Sequence, residues 1–202
     1  MDLAATVFSS GWASGVNAYA TVAMLSLLGR AGVGGVPEQL DSDPILIGSL
    51  ILFSVEFVAD KVPYFDSLWD SIHTVIRPLI GSALGFTFTG DADVSSFDEA
   101  VGGGGAGLTA LTSHGIKAGL RLGINTSPEP VTNIIASLTE DSLVLVVAYF
   151  AIENPELAAA IAFVLLVAGI ILVILLWKSI RAAWKRYREW RHKRRGPPHG
   201  AA

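Results

Sequence analysis

Cysteine is absent from the 202 residues, and charged side chains make up only 16% of them. The first absence excludes disulfides, thiolate metal sites and cysteine nucleophiles together. The second falls well short of the roughly one quarter usual in a soluble domain, and the charge that exists is segregated. Residues 1–177 carry five Lys/Arg against seventeen Asp/Glu, a formal −12, whereas residues 178–202 carry nine Lys/Arg and one acid, Glu189, a formal +8. The overall −4 and the pI near 5.5 describe neither part. Catalytic templates are also missing: there is no HExxH, GxSxG or GxxxxGK[ST]. Ser113 and His114 are neighbours in sequence, which puts them on different faces of a helix rather than in a nucleophile and base pair. No enzyme, metal or cofactor is expected.

What is abundant is apolar: 51% of the chain is hydrophobic and mean hydropathy is +0.54. Residues 157–177 (LAAAIAFVLLVAGIILVILLW) run without a charge, long enough at about 1.5 Å per residue to cross a hydrocarbon core of about 30 Å. Five further stretches, 4–28, 45–62, 72–89, 100–123 and 131–152, are apolar with polar interruptions. The third contains Arg77-Pro78, and proline disfavours helix there. Residues 64–77 can instead lie along the interface as an amphipathic helix, leaving 79–89 short or re-entrant. The expected fold is all-α, a polytopic helical membrane protein of five to six spans over residues 1–178, followed by a basic cytoplasmic tail over 179–202.

Lys and Arg enrichment marks cytoplasmic ends. With six crossings and the tail inside, both termini are cytoplasmic, at a cell inner (plasma) membrane. Thirteen of the fourteen Lys/Arg then lie toward the inner side and only Arg30 lies outside, while the outer loops collect nine carboxylates. Met1-Asp2 opens no basic n-region, so no cleaved export signal is expected. Two halves of three segments would form a 3+3 inverted repeat, as in many secondary transporters. Each half has a glycine-rich first segment, a Pro-Glu loop (Pro37-Glu38, Pro128-Glu129) and carboxylates on the second segment.

An ionised group at the bilayer centre costs about 2.5–3.5 kcal/mol or more, so it faces a protein interior or a wet cavity. Glu140 and Asp141 fall mid-span, and Glu56 and Asp60 share a face one turn apart. His114, Lys117 and Arg121 form an i, i+3, i+7 stripe at depths that would meet Glu56 and Asp60, and His73 and Arg77 are spaced i, i+4. These groups suit structural salt bridges locking helices together, or a proton, ion or anionic-headgroup site, with Lys61 and Arg121 also placed to snorkel at helix ends. Asn17, at the centre of the first stretch, reads as polar glue or a substrate contact.

Gly11 and Gly15, Gly103 and Gly107, and Gly115, Gly119 and Gly123 form small-residue stripes suited to close helix packing, and a homo-oligomer is compatible with them. The tract Asn125-Thr-Ser-Pro-Glu-Pro130 reads as a turn and a helix start. In the tail, Lys178, Arg181, Lys185, Arg186 and Arg188 alternate with aromatic residues, as expected of a helix drawn to anionic phospholipid headgroups of the bilayer. Its juxtamembrane position argues against nucleic acid. Residues 196–202 are expected to be disordered.

Three blocks, SGWASGVNAYATVAMLSLLGR, VEFVADKVPYFDSLWDSIHTVIRPLIGSALG and SHGIKAGLRLGINTSPEPVTNIIASLTEDSLV, together resemble the membrane family catalogued as domain of unknown function 4126, found in bacteria and plants. The resemblance spans most of residues 10–144 and implies a multi-span membrane protein without an established activity. It marks Asn17, Glu56, Asp60, Lys61, His73, Arg77, Pro78, His114, Lys117, Arg121, Asn125, Pro128, Glu129, Glu140 and Asp141 as the positions matching the family pattern. The expected function is a small transporter or permease-like protein using the buried carboxylates and their basic partners. The alternative is a non-catalytic scaffold or assembly subunit that binds a partner or anionic lipid.

Overall fold

Why each helix starts and stops can be read from its caps. In the computed structural model, which describes residues 2–62, 64–92, 94–125 and 130–194, α1 (Leu3–Val16) begins where the Asp2 carboxylate accepts from Ala5 N–H. It ends at Asn17, whose backbone is extended and whose side chain caps α2 (Ala18–Arg30) by accepting from Ala20 N–H at 2.9 Å. A 3₁₀ turn (Glu38–Leu40) precedes α3 (Asp43–Ala59), which carries proline in its first turn, where the lost N–H costs little. After α4 (Phe65–Asp91), Ser95 caps α5 (Ser96–Ile124) by accepting from Asp98 N–H. The last pair is α6 (Pro130–Glu153) and α7 (Pro155–Arg194), joined at Asn154, whose side chain accepts from Leu157 N–H. All regular elements among the described residues are helical.

Cross-helix contacts fix the directions. Val7 clusters with Leu84 and Phe88 while Ser14 meets Arg77, so α4 runs antiparallel to α1. Gly11 lies on Ala106 and Lys117 reaches Val16, so α5 runs parallel to α1. Ile116 faces Gly169 and Leu176 faces Gly123, which makes α7 parallel to α5. Thr6 donates to Ala151 and Asn17 to Asp141, making α6 antiparallel to both.

Four expectations change. Residues 4–28 are not one span. Leu25 and Leu28 share an apolar cluster with Val7, Leu84, Phe88 and Ile152, so α2 turns back from Asn17 toward the end of the bundle where α1 began. At 14 and 13 residues, or about 20 Å each, neither helix matches a hydrocarbon core of about 30 Å. The third segment, in contrast, is not short. Residues 65–91 form a single helix through Pro78, about 40 Å long. Pro78 removes only one ladder hydrogen bond, and the side chains on either side of it are held by other helices. The broken element is therefore the first rather than the third, which departs from the expected 3+3 correspondence at its first member. With α1 and α7 parallel, Asp2 and the end of α7 also lie at opposite ends of the bundle, against the expectation that both termini share a side.

Burial is distributed inside out. Helix α3 buries Ser49, Glu56 and Ala59 but exposes Ile47, Ile51, Val55 and Val58. Helix α4 buries Asp66, Asp70, His73 and Arg77 while exposing Leu68, Ile72, Val75 and Leu79. Among the described residues, two helical stretches, Val131–Glu153 and Pro155–Arg191, are long and apolar enough to cross a membrane, with mean hydropathy 1.7 and 3.3. The first three helices are too short for that criterion, and α4 and α5 carry buried charge.

Candidate functional site, a buried ion-pair network

Helical spacing sets the site. Asp66, Asp70, His73 and Arg77 repeat at intervals of four, three and four on α4, one face of a 3.6-residue helix, and all four are buried. His114, Lys117 and Arg121 form the facing stripe of α5, also buried. Glu56 projects from α3 and Asp60 caps its end. Close approach of α1 to α5 at glycine brings the third wall in: a Cβ on Gly15 would overlap Ser113 and the backbone of Ala110.

Arg77 donates from Nη2 to Glu56 Oε1 at 2.7 Å, and its Nη1 lies 3.2 Å from Asp70 Oδ1. Lys117 donates to Asp60 Oδ2 at 2.5 Å and to the Val16 carbonyl at 3.1 Å, with Glu56 and Glu140 at 3.8 and 3.7 Å. Arg121 holds both oxygens of Glu140, at 3.3 and 2.6 Å, and donates to the Asp60 carbonyl and the Asn133 side chain. Asp66 lies 3.7 Å from Arg121 and accepts from Asn125. Because arginine can only donate, the 2.7 Å contact from Arg77 to His114 Nδ1 makes that nitrogen an acceptor. His114 is thus neutral, its Nε2 donating to Thr74 Oγ1. His73 donates through Nδ1 to the Trp69 carbonyl, and its Nε2 shares a hydrogen bond of 3.1 Å with the Tyr19 hydroxyl.

Counting only groups within ion-pair distance among the described residues, five carboxylates (Glu56, Asp60, Asp66, Asp70, Glu140) meet three bases (Arg77, Lys117, Arg121). The formal excess is two negative charges. Glu56 Oε2, Asp60 Oδ1 and both oxygens of Asp70 are buried and accept no hydrogen bond among the described residues. A second, neutral pair stands beside this network: Asp141 accepts from Asn17 at 3.0 Å and lies 3.9 Å from Lys61. Lys61 follows the end of α3, over the Phe57 ring.

All ten pathway candidates, Asn17, Glu56, Asp60, His73, Arg77, His114, Lys117, Arg121, Glu140 and Asp141, therefore lie in two adjoining clusters. Asp66, Asp70, Asn133 and Tyr19 were not anticipated. The signal for the two aspartates is their place in the stripe with His73 and Arg77, which an interfacial helix would have turned toward headgroups. The tail bases Lys178, Arg181, Lys185, Arg186 and Arg188 are exposed on the end of α7, far in sequence and in contacts from the network. Pro128, Glu129 and residues 196–202 lie outside the described residues.

The class defined by these features is an all-helical bundle, apolar outside and ionic within. The chain belongs to the family described as a domain of unknown function (DUF4126), whose model matches residues 4–175. None of the curated proteins and none of the solved structures matches it.

Proposed function

We propose that the protein is a polytopic inner-membrane protein working as a small, proton-coupled transporter, with α3 to α7 crossing and the α1–α2 pair re-entrant. The apolar outer faces and polar interior of α3, α4 and α5 support membrane residence. The basic end of α7 is cytoplasmic by the positive-inside rule, which puts Asp2 and Arg30 on the outer face.

One observation carries the transport reading: five carboxylates, four of them buried, share three bases. Unpaired buried charge is strongly unfavourable, so the network takes up protons or a cation to approach neutrality. A purely structural network has no reason to keep the excess. Glu140 is its outlet, because its side chain is 18% exposed while those of the other four acids are at most 3% exposed. Glu140 also borders a cavity open to the outside of the bundle.

The experiment is proton flux into proteoliposomes carrying an entrapped pH dye, under an imposed gradient. Glu56→Gln and Glu140→Gln are compared with wild type in protein shown to insert and fold. Flux that falls in both variants supports the proposal, and flux unchanged in both removes it. The scaffold reading predicts instead a stoichiometric partner recovered in mild detergent and no flux in any form.

A further inference from the structure

Between α5, α6 and α7, with the end of α1 as its floor, lies a cavity of about 740 Å³, within the range of about 300–1,000 Å³ that holds small ligands. It runs along α7 from Leu165 to Ser179, about 21 Å at the helical rise. Its walls are apolar, with Trp12, Leu120, Leu143, Leu172 and Leu176 among them, and two charged side chains reach it partway along, Lys117 and Glu140.

These two are not equivalent as ligands. The Lys117 ammonium has three protons, and it is surrounded by Asp60, the Val16 carbonyl, Glu56 and Glu140. Arg121 spends its donors on Glu140, Asp60 and Asn133. An anion entering the cavity would find both neighbouring bases already engaged by carboxylates. A cation would meet Glu140, whose oxygens already accept from Arg121 but whose side chain, 18% exposed, is the most accessible carboxylate of a network with two carboxylates in excess. The remaining surface is hydrocarbon, which rejects small hydrated ions and accepts an apolar body.

We propose that this cavity binds an amphiphilic organic cation, its apolar body between α5, α6 and α7 and its positive centre beside Glu140. The site rests on the same charge excess as the proposed function. It gives that function a substrate class: bound cation and bound protons compete for one negative network, the arrangement required for exchange of one against the other.

Tetraphenylphosphonium and tetraphenylborate, nearly identical in shape and opposite in charge, provide the test. Binding of each to the purified full-length protein is measured by equilibrium dialysis and by proton release in weakly buffered detergent solution. The expected result is saturable binding of the phosphonium with release of protons, at least tenfold tighter than the borate. Glu140→Gln is expected to weaken it at least tenfold. Because Glu140→Gln also unpairs Arg121, Leu172→Trp serves as a second variant: it fills the cavity from an exposed helix position and is expected to weaken binding at least tenfold without touching the ion pairs. Equal binding of the two ions, or phosphonium binding unaffected by Leu172→Trp, overturns the proposal. Charge-selective binding without proton flux in liposomes would instead leave this site standing and remove the transport reading. Flux without charge-selective binding would do the reverse.

Discussion

The Asn17 side-chain amide donates to Asp141 Oδ1 across 3.0 Å, joining the break between α1 and α2 to the middle of α6. The same side chain accepts from Ala20 N–H through its oxygen. One residue thus ends a helix, caps the next and partners a buried carboxylate, and the hairpin of α1 and α2 depends on all three.

Asn17→Ala removes a cap worth about 1 kcal/mol and leaves Asp141 without its donor, a further penalty of about 1–3 kcal/mol. Thermal unfolding in detergent is expected to show a clear drop in Tm. A double-mutant cycle with Asp141→Ala is expected to give a coupling of about 1 kcal/mol or more. Additive effects would mean that the contact contributes nothing.

Gly15 and Gly115 separate packing from composition. A Cβ on Gly15 would overlap Ser113 and the Ala110 backbone, whereas one on Gly115 meets nothing within 4 Å. Gly15→Ala is expected to destabilise by about 1–3 kcal/mol through overpacking. Gly115→Ala is expected to be neutral or to stabilise by up to about 1 kcal/mol through helix propensity. Chemical unfolding of the two variants side by side checks the contrast.

The absence of native cysteine makes sidedness directly measurable. Single cysteines placed at Asp2, Gly34 and Val94 are expected to react with a membrane-impermeant maleimide from the outer face of right-side-out cells, and one at Arg191 only after permeabilisation. Residues 2 and 191 reacting from the same face would restore a first segment that crosses.

The exposed tail bases Lys178, Arg181, Lys185, Arg186 and Arg188 are placed to meet anionic headgroups at about 1 kcal/mol each. Replacing all five by glutamine is expected to lower the enrichment of anionic lipid in native nanodiscs while leaving Tm within a few degrees. Unchanged lipid composition would separate the tail from lipid recognition.

Legibility followed the range of the interactions involved. The apolar run of residues 157–177 and the His114, Lys117, Arg121 stripe at the depth of Glu56 and Asp60 are visible in sequence, because hydropathy and i, i+3, i+4 spacing are local properties of a helix. The break at Asn17 is not, since residues 4–28 are apolar on both sides and the partner that fixes it, Asp141, is 124 positions away. Pro78 misleads in the opposite direction. Its local cost of roughly 3 kcal/mol is outweighed where Arg77 is clamped by Glu56 and Asp70 and Gly81 lies against Ala106. Asp66 and Asp70 were hidden by the orientation assigned to residues 64–77, not by any lack of pattern.

The charge excess itself can be counted. Infrared spectroscopy of the purified protein at neutral pH resolves protonated from ionised carboxyls. Two protonated carboxyls per chain are expected in the ligand-free protein, with the absorption diminished in Glu140→Gln and in Asp70→Asn. A spectrum without any protonated-carboxyl absorption at neutral pH in ligand-free, cation-depleted protein would contradict a network that takes up protons to balance its five carboxylates.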